Sequence, residues 1–145
     1  MVAKTGKKDG VIGVVLVTHG TFGESLLQAA EMVMGPQVNC LAVGIDVQKG
    51  VDEALEGVRK AIQSLEQGKG VLALTDLFGG SPTTMSLSLM KAENVEVITG
   101  VNLPMLVAAL QGRTMKLHDL AEQAMVAGQQ GIKVAGAMLR KKAKK

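Results

Sequence analysis

The 145-residue sequence contains no tryptophan and no tyrosine, only two phenylalanines and two histidines, and a single cysteine. Each shortage excludes something. Without Trp or Tyr, the interior must be assembled from Val, Leu, Ile, Ala and Met, and no aromatic platform exists for stacking nucleic-acid bases. One cysteine, Cys40, rules out an internal disulfide framework and a multi-cysteine metal site. In the apolar stretch NCLAVGI it reads as a buried, inert thiol. Two distant histidines, His19 and His118, make a poor metal site, so neither a metal nor a cofactor is expected. No apolar run reaches the length of a membrane span. The lysine-rich start followed by VIGVVLV imitates a signal peptide, but that run is only strand-long and lacks a small-residue cleavage site. A cytoplasmic protein is expected, touching a membrane only indirectly.

Basic charge is present but lies at the ends. RKKAKK (140–145) carries five positive charges and Lys4, Lys7 and Lys8 three more, so eight of the 16 Lys+Arg are terminal. The other eight face 13 acids, and the body is mildly acidic despite a formal net charge of +3. The tails read as solvated ends, and no nucleic-acid partner is expected. The expected organisation is a basic N-terminus (1–10), one domain (11–139) and a basic C-terminal tail (140–145).

Between the tails, short apolar runs alternate with amphipathic ones. VIGVVLV (11–17), NCLAVGI (39–45), GVLALTD (70–76) and VEVITG (95–100) have the length and β-branched content of buried parallel strands. Helical periodicity marks 22–35, 51–68, 81–92, 102–112 and 117–131. Gly35-Pro36 stops the first helix, and Ser81 and Pro82 suit the N-cap and first position of the third. His118 or Asp119 lies near the cap of the last. IKVAGAML (132–139) fits two states: an added edge strand, pairing with another subunit, or the end of the preceding helix. The expectation is an α/β fold, an open and mainly parallel four-stranded sheet of flavodoxin-like architecture with helices on both faces. Such sheets bind ligands beyond the carboxyl ends of their strands, which gives weight to THG (18–20), DVQKG (46–50), DLFGGSP (76–82) and GVNLPM (100–105).

His19 follows the first strand by two residues in this reading, and Asp76 ends the third. If those strands are neighbours, the carboxylate can take the hydrogen bond from one ring nitrogen and leave a lone pair on the other. Gly79, Gly80 and Ser81 offer backbone N–H groups and a hydroxyl at the positive end of a helix dipole, a receiver for an anion. An oriented nitrogen beside an anion cradle suits phosphoryl transfer. Each part alone has a plainer explanation: Asp76 as a helix cap, GGSP as an ordinary helix entry. DLFGGSP is neither a GxGxxG nor a Walker pattern. Phe22, Leu77, Phe78, Leu103, Pro104 and Met105 read either as core or as an apolar ring where a protein partner docks.

VTHGTFGESLLQAAEMVMG, TDLFGGSP and VITGVNLPML, in this order and separation, resemble the mannose/fructose-type enzyme IIA domain of the bacterial phosphoenolpyruvate:sugar phosphotransferase system. The resemblance covers roughly residues 11 to 130. It implies a usually dimeric α/β protein that relays phosphate through a phosphohistidine, from HPr to an enzyme IIB. By position, His19 is implied as the phosphorylated residue, Asp76 as its hydrogen-bonding partner, and Gly79, Gly80 and Ser81 as phosphate-side contacts. The family often has Asn two residues after the proline, where this chain has Thr84. No IIB sequence follows in this chain, so the acceptor is expected on a separate protein. A phosphorylation-state regulator and the related phosphocarrier subunit of dihydroxyacetone kinase share these features. A histidine phosphatase would need arginines and a second histidine around His19, whereas the body holds only Arg59 and Arg113. A flavin or nucleotide module would need a glycine-rich phosphate loop after the first strand, which is absent.

Overall fold

The computed structural model describes residues 10–90 and 94–143. Four strands, β1 (Gly13–His19), β2 (Cys40–Ile45), β3 (Val71–Thr75) and β4 (Val95–Thr99), are each followed by a helix: α1 (Phe22–Met34), α2 (Val51–Leu65), α3 (Ser81–Ser88) and α4 (Leu103–Gln111). Two more helices, α5 (Leu117–Gln130) and α6 (Ala135–Ala143), complete the order. Every strand pair is parallel and the order is β2-β1-β3-β4. The chain starts near the middle, steps outward to β2, then crosses back to β3. Strand order therefore reverses between β1 and β3, and their carboxyl ends flank the crevice where such sheets take ligands.

The side-chain period of two divides the sheet into two apolar faces. Ile12, Val14, Leu16, Leu72 and Leu74 pack against Ala30 of α1, Leu106 and Ala109 of α4, and Leu120 and Ala124 of α5. Val15, Val17, Val71 and Ala73 point the other way, against Val58, Ile62 and Leu65 of α2 and Met85 of α3. A strand buried on both faces has no polar side to alternate with, which is why VIGVVLV is continuously apolar.

Several boundaries differ from the sequence expectation, each for a local reason. β1 begins at Gly13 and continues through Thr18 and His19, because β2 keeps pairing with it as far as Ile45. His19 is thus the last residue of the strand rather than two residues beyond it. The second helix stops at Leu65, where Glu66 becomes extended and its carboxylate accepts the N–H groups of Gly68 and Gly70. The third begins with Ser81 as a helical residue and Gly80 as N-cap, and ends at Ser88. Its serines turn back on the backbone, Ser86 Oγ to Pro82 O and Ser88 Oγ to Met85 O, which weakens a helix. His118 and Asp119 lie in the first turn of α5, next to its N-cap position Lys116, whose side chain makes no capping bond.

Within the single chain the C-terminal segment neither adds a strand nor extends the preceding helix. Residues 132–134 have no regular structure, and Ala135–Ala143 form a separate exposed helix. Among the described residues the sheet ends at β4, with no edge strand beyond it. The helix takes in most of the expected basic tail, as far as Ala143. Residues 1–9 of the basic N-terminus, 91–92 of the expected third helix and 144–145 of the tail lie outside the described residues. Among those described, no helix is long and apolar enough to cross a membrane.

Candidate functional site

β1 and β3 run side by side, with Val17 in register with Thr75, so the next residues of each strand emerge together. Asp76 Oδ2 accepts the backbone N–H of His19 at 2.9 Å and its ring Nδ1–H at 2.8 Å. With Nδ1 tied to the carboxylate, the proton sits there and the lone pair is left on Nε2. The His19 side chain is 51 % exposed and that of Asp76 15 %. Burial tends to raise the Asp76 carboxyl, but the two His19 hydrogen bonds and the ring's charge outweigh it and hold it below the ordinary carboxylate range. Oδ1 of the same carboxylate is buried with no hydrogen-bond partner among the described residues.

Gly80 closes the other side of the ring. A Cβ placed there would lie 3.0 Å from His19 Cε1 and 3.5 Å from Nε2, so any larger residue would crowd the imidazole and push it aside by a few tenths of an ångström. Gly79 has a φ of 83°, a left-handed conformation natural to glycine, and exposes its peptide. No side chain caps the N-terminus of α3. Its first-turn donors, the Ser81 and Thr83 amides and the Ser81 hydroxyl, carry the positive end of the helix dipole, while Pro82 contributes none. Ser81 is half-buried and Thr84 exposed.

The apolar ring is assembled in part. Phe22 (46 % exposed), Leu77 (60 %) and Phe78 (78 %) are presented to solvent, with Pro104 exposed at the start of α4. Leu103 is half-buried against the core. Met105 is a correction: it is 4 % exposed and packs with Leu106, Ala109 and Leu110 on the sheet-facing side of α4, so it belongs to the core. Its N–H is taken by the Asn102 side chain, which caps that helix. His118 lies far along the chain on the surface of α5, within 3.8 Å of Glu96 and 3.9 Å of Glu122, away from His19.

Two further groups support the site without having been picked out from the sequence. Thr18, fully buried, accepts the Gly23 N–H at 2.7 Å and fixes the start of α1 beside His19. Gly23 is what permits this approach, since a Cβ there would meet Thr18 Oγ1 at 2.9 Å. Gly44 lies against the Gly20 carbonyl in the same way. A threonine before the histidine and a glycine five residues on are the only sequence signals for the first, and they are weak ones.

Among the described residues no group of three His, Cys, Asp or Glu side chains could hold a metal. His19 lines neither the groove of about 480 Å³ beside β4 nor that of about 240 Å³ at the β2 edge. It stands half-exposed at the carboxyl end of β1, next to loops that carry the exposed Phe22, Leu77 and Phe78, a form that suits a protein surface better than an enclosed small molecule.

Comparison with known proteins agrees with this geometry. The family model EIIA-man, the PTS system fructose IIA component, matches residues 13–127. The chain is 36 % identical over 125 residues to a PTS system mannose-specific EIIAB component of Escherichia coli, a match covering 84 % of this chain and 39 % of that protein. The chain thus spans about two fifths of the length of that relative. A PTS system fructose-specific EIIA component of Bacillus subtilis is 29 % identical over 133 residues, covering 90 % of this chain and 91 % of the relative. The crystal structure of a phosphotransferase system component EIIA from Streptococcus agalactiae superposes with a TM-score of 0.79 at 26 % identity, covering 87 % of this chain and 98 % of that one. An oriented histidine at the switch point of a 2-1-3-4 sheet and a family match over most of the chain lead to one conclusion: this chain belongs to the mannose/fructose-type IIA family of phosphotransferase-system components.

Proposed function

We propose that the chain accepts a phosphoryl group from phospho-HPr on Nε2 of His19 and passes it to an enzyme IIB. The observation that carries this is the setting of the ring: Nδ1 is held by Asp76, and the Cε1–Nε2 edge lies beside Gly80 at the start of α3. In the transfer, the Nε2 lone pair forms the new P–N bond as the P–N bond to the donor histidine breaks, and that bond's electron pair returns to the donor nitrogen. The His19 ring keeps its Nδ1 proton and becomes cationic, and the Asp76 carboxylate offsets the new charge. The Gly79 amide and the first-turn groups of α3, Ser81 included, receive the phosphoryl oxygens, while Gly80, whose N–H is turned to the Leu77 carbonyl, leaves room for them beside the ring. Transfer onward repeats the step in reverse, with a nucleophile of IIB attacking phosphorus and the electron pair returning to Nε2. The exposed Phe22, Leu77, Phe78 and Pro104 form the face on which either partner docks.

Two further expectations belong to this reading. The protein works in the cytoplasm. It works as a homodimer, which is supported by the open edge of β4, the groove beside it and the exposed Ile132 and Val134 that follow α5. Light scattering tests the dimer, and a monomer at micromolar concentration contradicts it.

Incubation with phosphoenolpyruvate, enzyme I and HPr tests the phosphoryl relay. The expected result is an acid-labile, base-stable adduct that requires HPr and is absent in His19→Ala. Equal labelling of that variant would overturn the assignment.

A further inference from the structure

The loop from Asp76 to Gly80 has to hold a carboxylate on one side of the His19 ring and the Gly80 backbone on the other, yet it has no apolar anchor of its own. Leu77 and Phe78 both face solvent, and the remaining residues are Asp76 and two glycines. What holds it lies underneath. Thr75, at the end of β3, and Thr83, in the first turn of α3, are both fully buried, with their hydroxyl oxygens 2.6 Å apart. Thr83 Oγ1 also donates to the Leu77 carbonyl at 2.8 Å. That carbonyl receives in addition the N–H of Gly80 at 3.2 Å, which closes the turn.

The direction of this chain of bonds is fixed by proton counting. A carbonyl can only accept, so the single proton of the Thr83 hydroxyl goes to Leu77. Thr75 must then be the donor to Thr83. The order is Thr75 O–H to Thr83 O–H to Leu77 C=O, and the Leu77 carbonyl is the point from which both ends of the loop hang. One residue before it is Asp76, bound to Nδ1; three residues after it is Gly80, against Nε2. Burying two hydroxyls between a strand and a helix is unfavourable unless each is satisfied. Valine would fill both positions with the same shape and none of that cost.

We infer that Thr83, with Thr75 behind it, is a positioning residue for phosphoryl transfer: it sets the separation of Asp76 and Gly80 across the His19 imidazole. The inference rests on the phosphohistidine reading of the site. Small displacements of a reacting atom change rates by large factors, so a loop released from its buried tether shows the loss in turnover rather than in partner affinity.

The test compares Thr83→Val, Thr83→Ser and Thr75→Val by rate of transfer from phospho-HPr, by thermal melting, and by ¹⁵N NMR of the His19 ring in the unphosphorylated protein. Thr83→Val loses both bonds and is expected to transfer about tenfold more slowly with little change in KM. Thr75→Val leaves the Thr83–Leu77 bond in place and is expected to lose less, although its buried site is equivalent for packing. Thr83→Ser keeps the hydroxyl and restores the rate. In Thr83→Val the Nδ1–H resonance broadens as its bond to Asp76 loosens. Wild-type turnover in Thr83→Val, failure of Thr83→Ser to restore it, or an unchanged Nδ1–H resonance would each overturn the inference. If the wild-type protein accepts no phosphate from HPr, the phosphotransfer reading fails; the NMR comparison still decides whether Thr83 positions the ring.

Discussion

A single oxygen, Asp76 Oδ2, holds both ends of His19: its backbone N–H at 2.9 Å and its ring Nδ1–H at 2.8 Å. Main chain and side chain are thereby locked to the same point, and the ring cannot rotate about its side-chain bonds without losing a charge-assisted hydrogen bond. Because β1 and β3 are adjacent, this lock spans two strands separated by 57 positions in sequence.

Asp76→Asn removes the charge and leaves the shape. Transfer to His19 is expected to slow about 10²-fold, since the amide neither stabilises the cationic ring nor fixes the Nδ1 tautomer. The same substitution has a signature in pH. The folded carboxyl titrates below its unfolded value, so its contribution to stability is present above the ordinary carboxylate range and is lost as pH falls through the depressed value. Urea melts at neutral and acidic pH should show the wild-type advantage over Asp76→Asn shrinking below about pH 4. An advantage independent of pH would contradict the ion-pair account.

Phe78 is 78 % exposed, and its replacement by serine is expected to leave the melting temperature nearly unchanged. If it is a docking residue, KM for phospho-HPr rises about tenfold or more while the maximal rate is kept. Steady-state kinetics at varied phospho-HPr separates the two, and an unchanged KM would remove Phe78 from the docking face.

Gly44 belongs to β2 and pairs in register with Thr18. A Cβ there would collide with the backbone carbonyl of Gly20, the residue that follows His19. Since a backbone atom is in the way, the turn itself must move. Gly44→Ala is expected to cost about 1–3 kcal/mol of stability and to lower transfer by displacing His19. Denaturant melts together with a single-turnover assay check both effects.

Cys40 is buried at the start of β2, and burial pushes its thiol up to about 12 despite the opposing pull of Arg113. Only the thiolate reacts, so the native protein should resist iodoacetamide at pH 8 and react fully once unfolded. Rapid labelling of the folded protein would show that β2 opens locally.

Much of this was legible in the sequence, because it depends on patterns of hydrophobicity and on where strands end. The four parallel strands, the place of His19 and Asp76 at their carboxyl ends, and the glycine entry into α3 all follow from such patterns. Finer placements did not. Periodicity is blind to whether β1 stops at Val17 or runs to His19; pairing with Ile45 decides it. Met105 is apolar at a loop-to-helix junction, and only the orientation of α4 sends it into the core. IKVAGAML suits a strand or a helix, and the outcome depends on what it packs against. Thr75 and Thr83 carry no local signal at all, and Thr18 only a weak one, since a buried hydroxyl is distinguished from a packed methyl only by the partner that meets it.

The most direct measurement is the position of phosphorus on the ring. Protein labelled with ¹⁵N-histidine and phosphorylated through HPr should show, by ³¹P–¹⁵N coupling, a phosphoryl group on Nε2 of His19, with Nδ1 still protonated and bound to Asp76. Phosphorus on Nδ1, or on His118, would contradict the account.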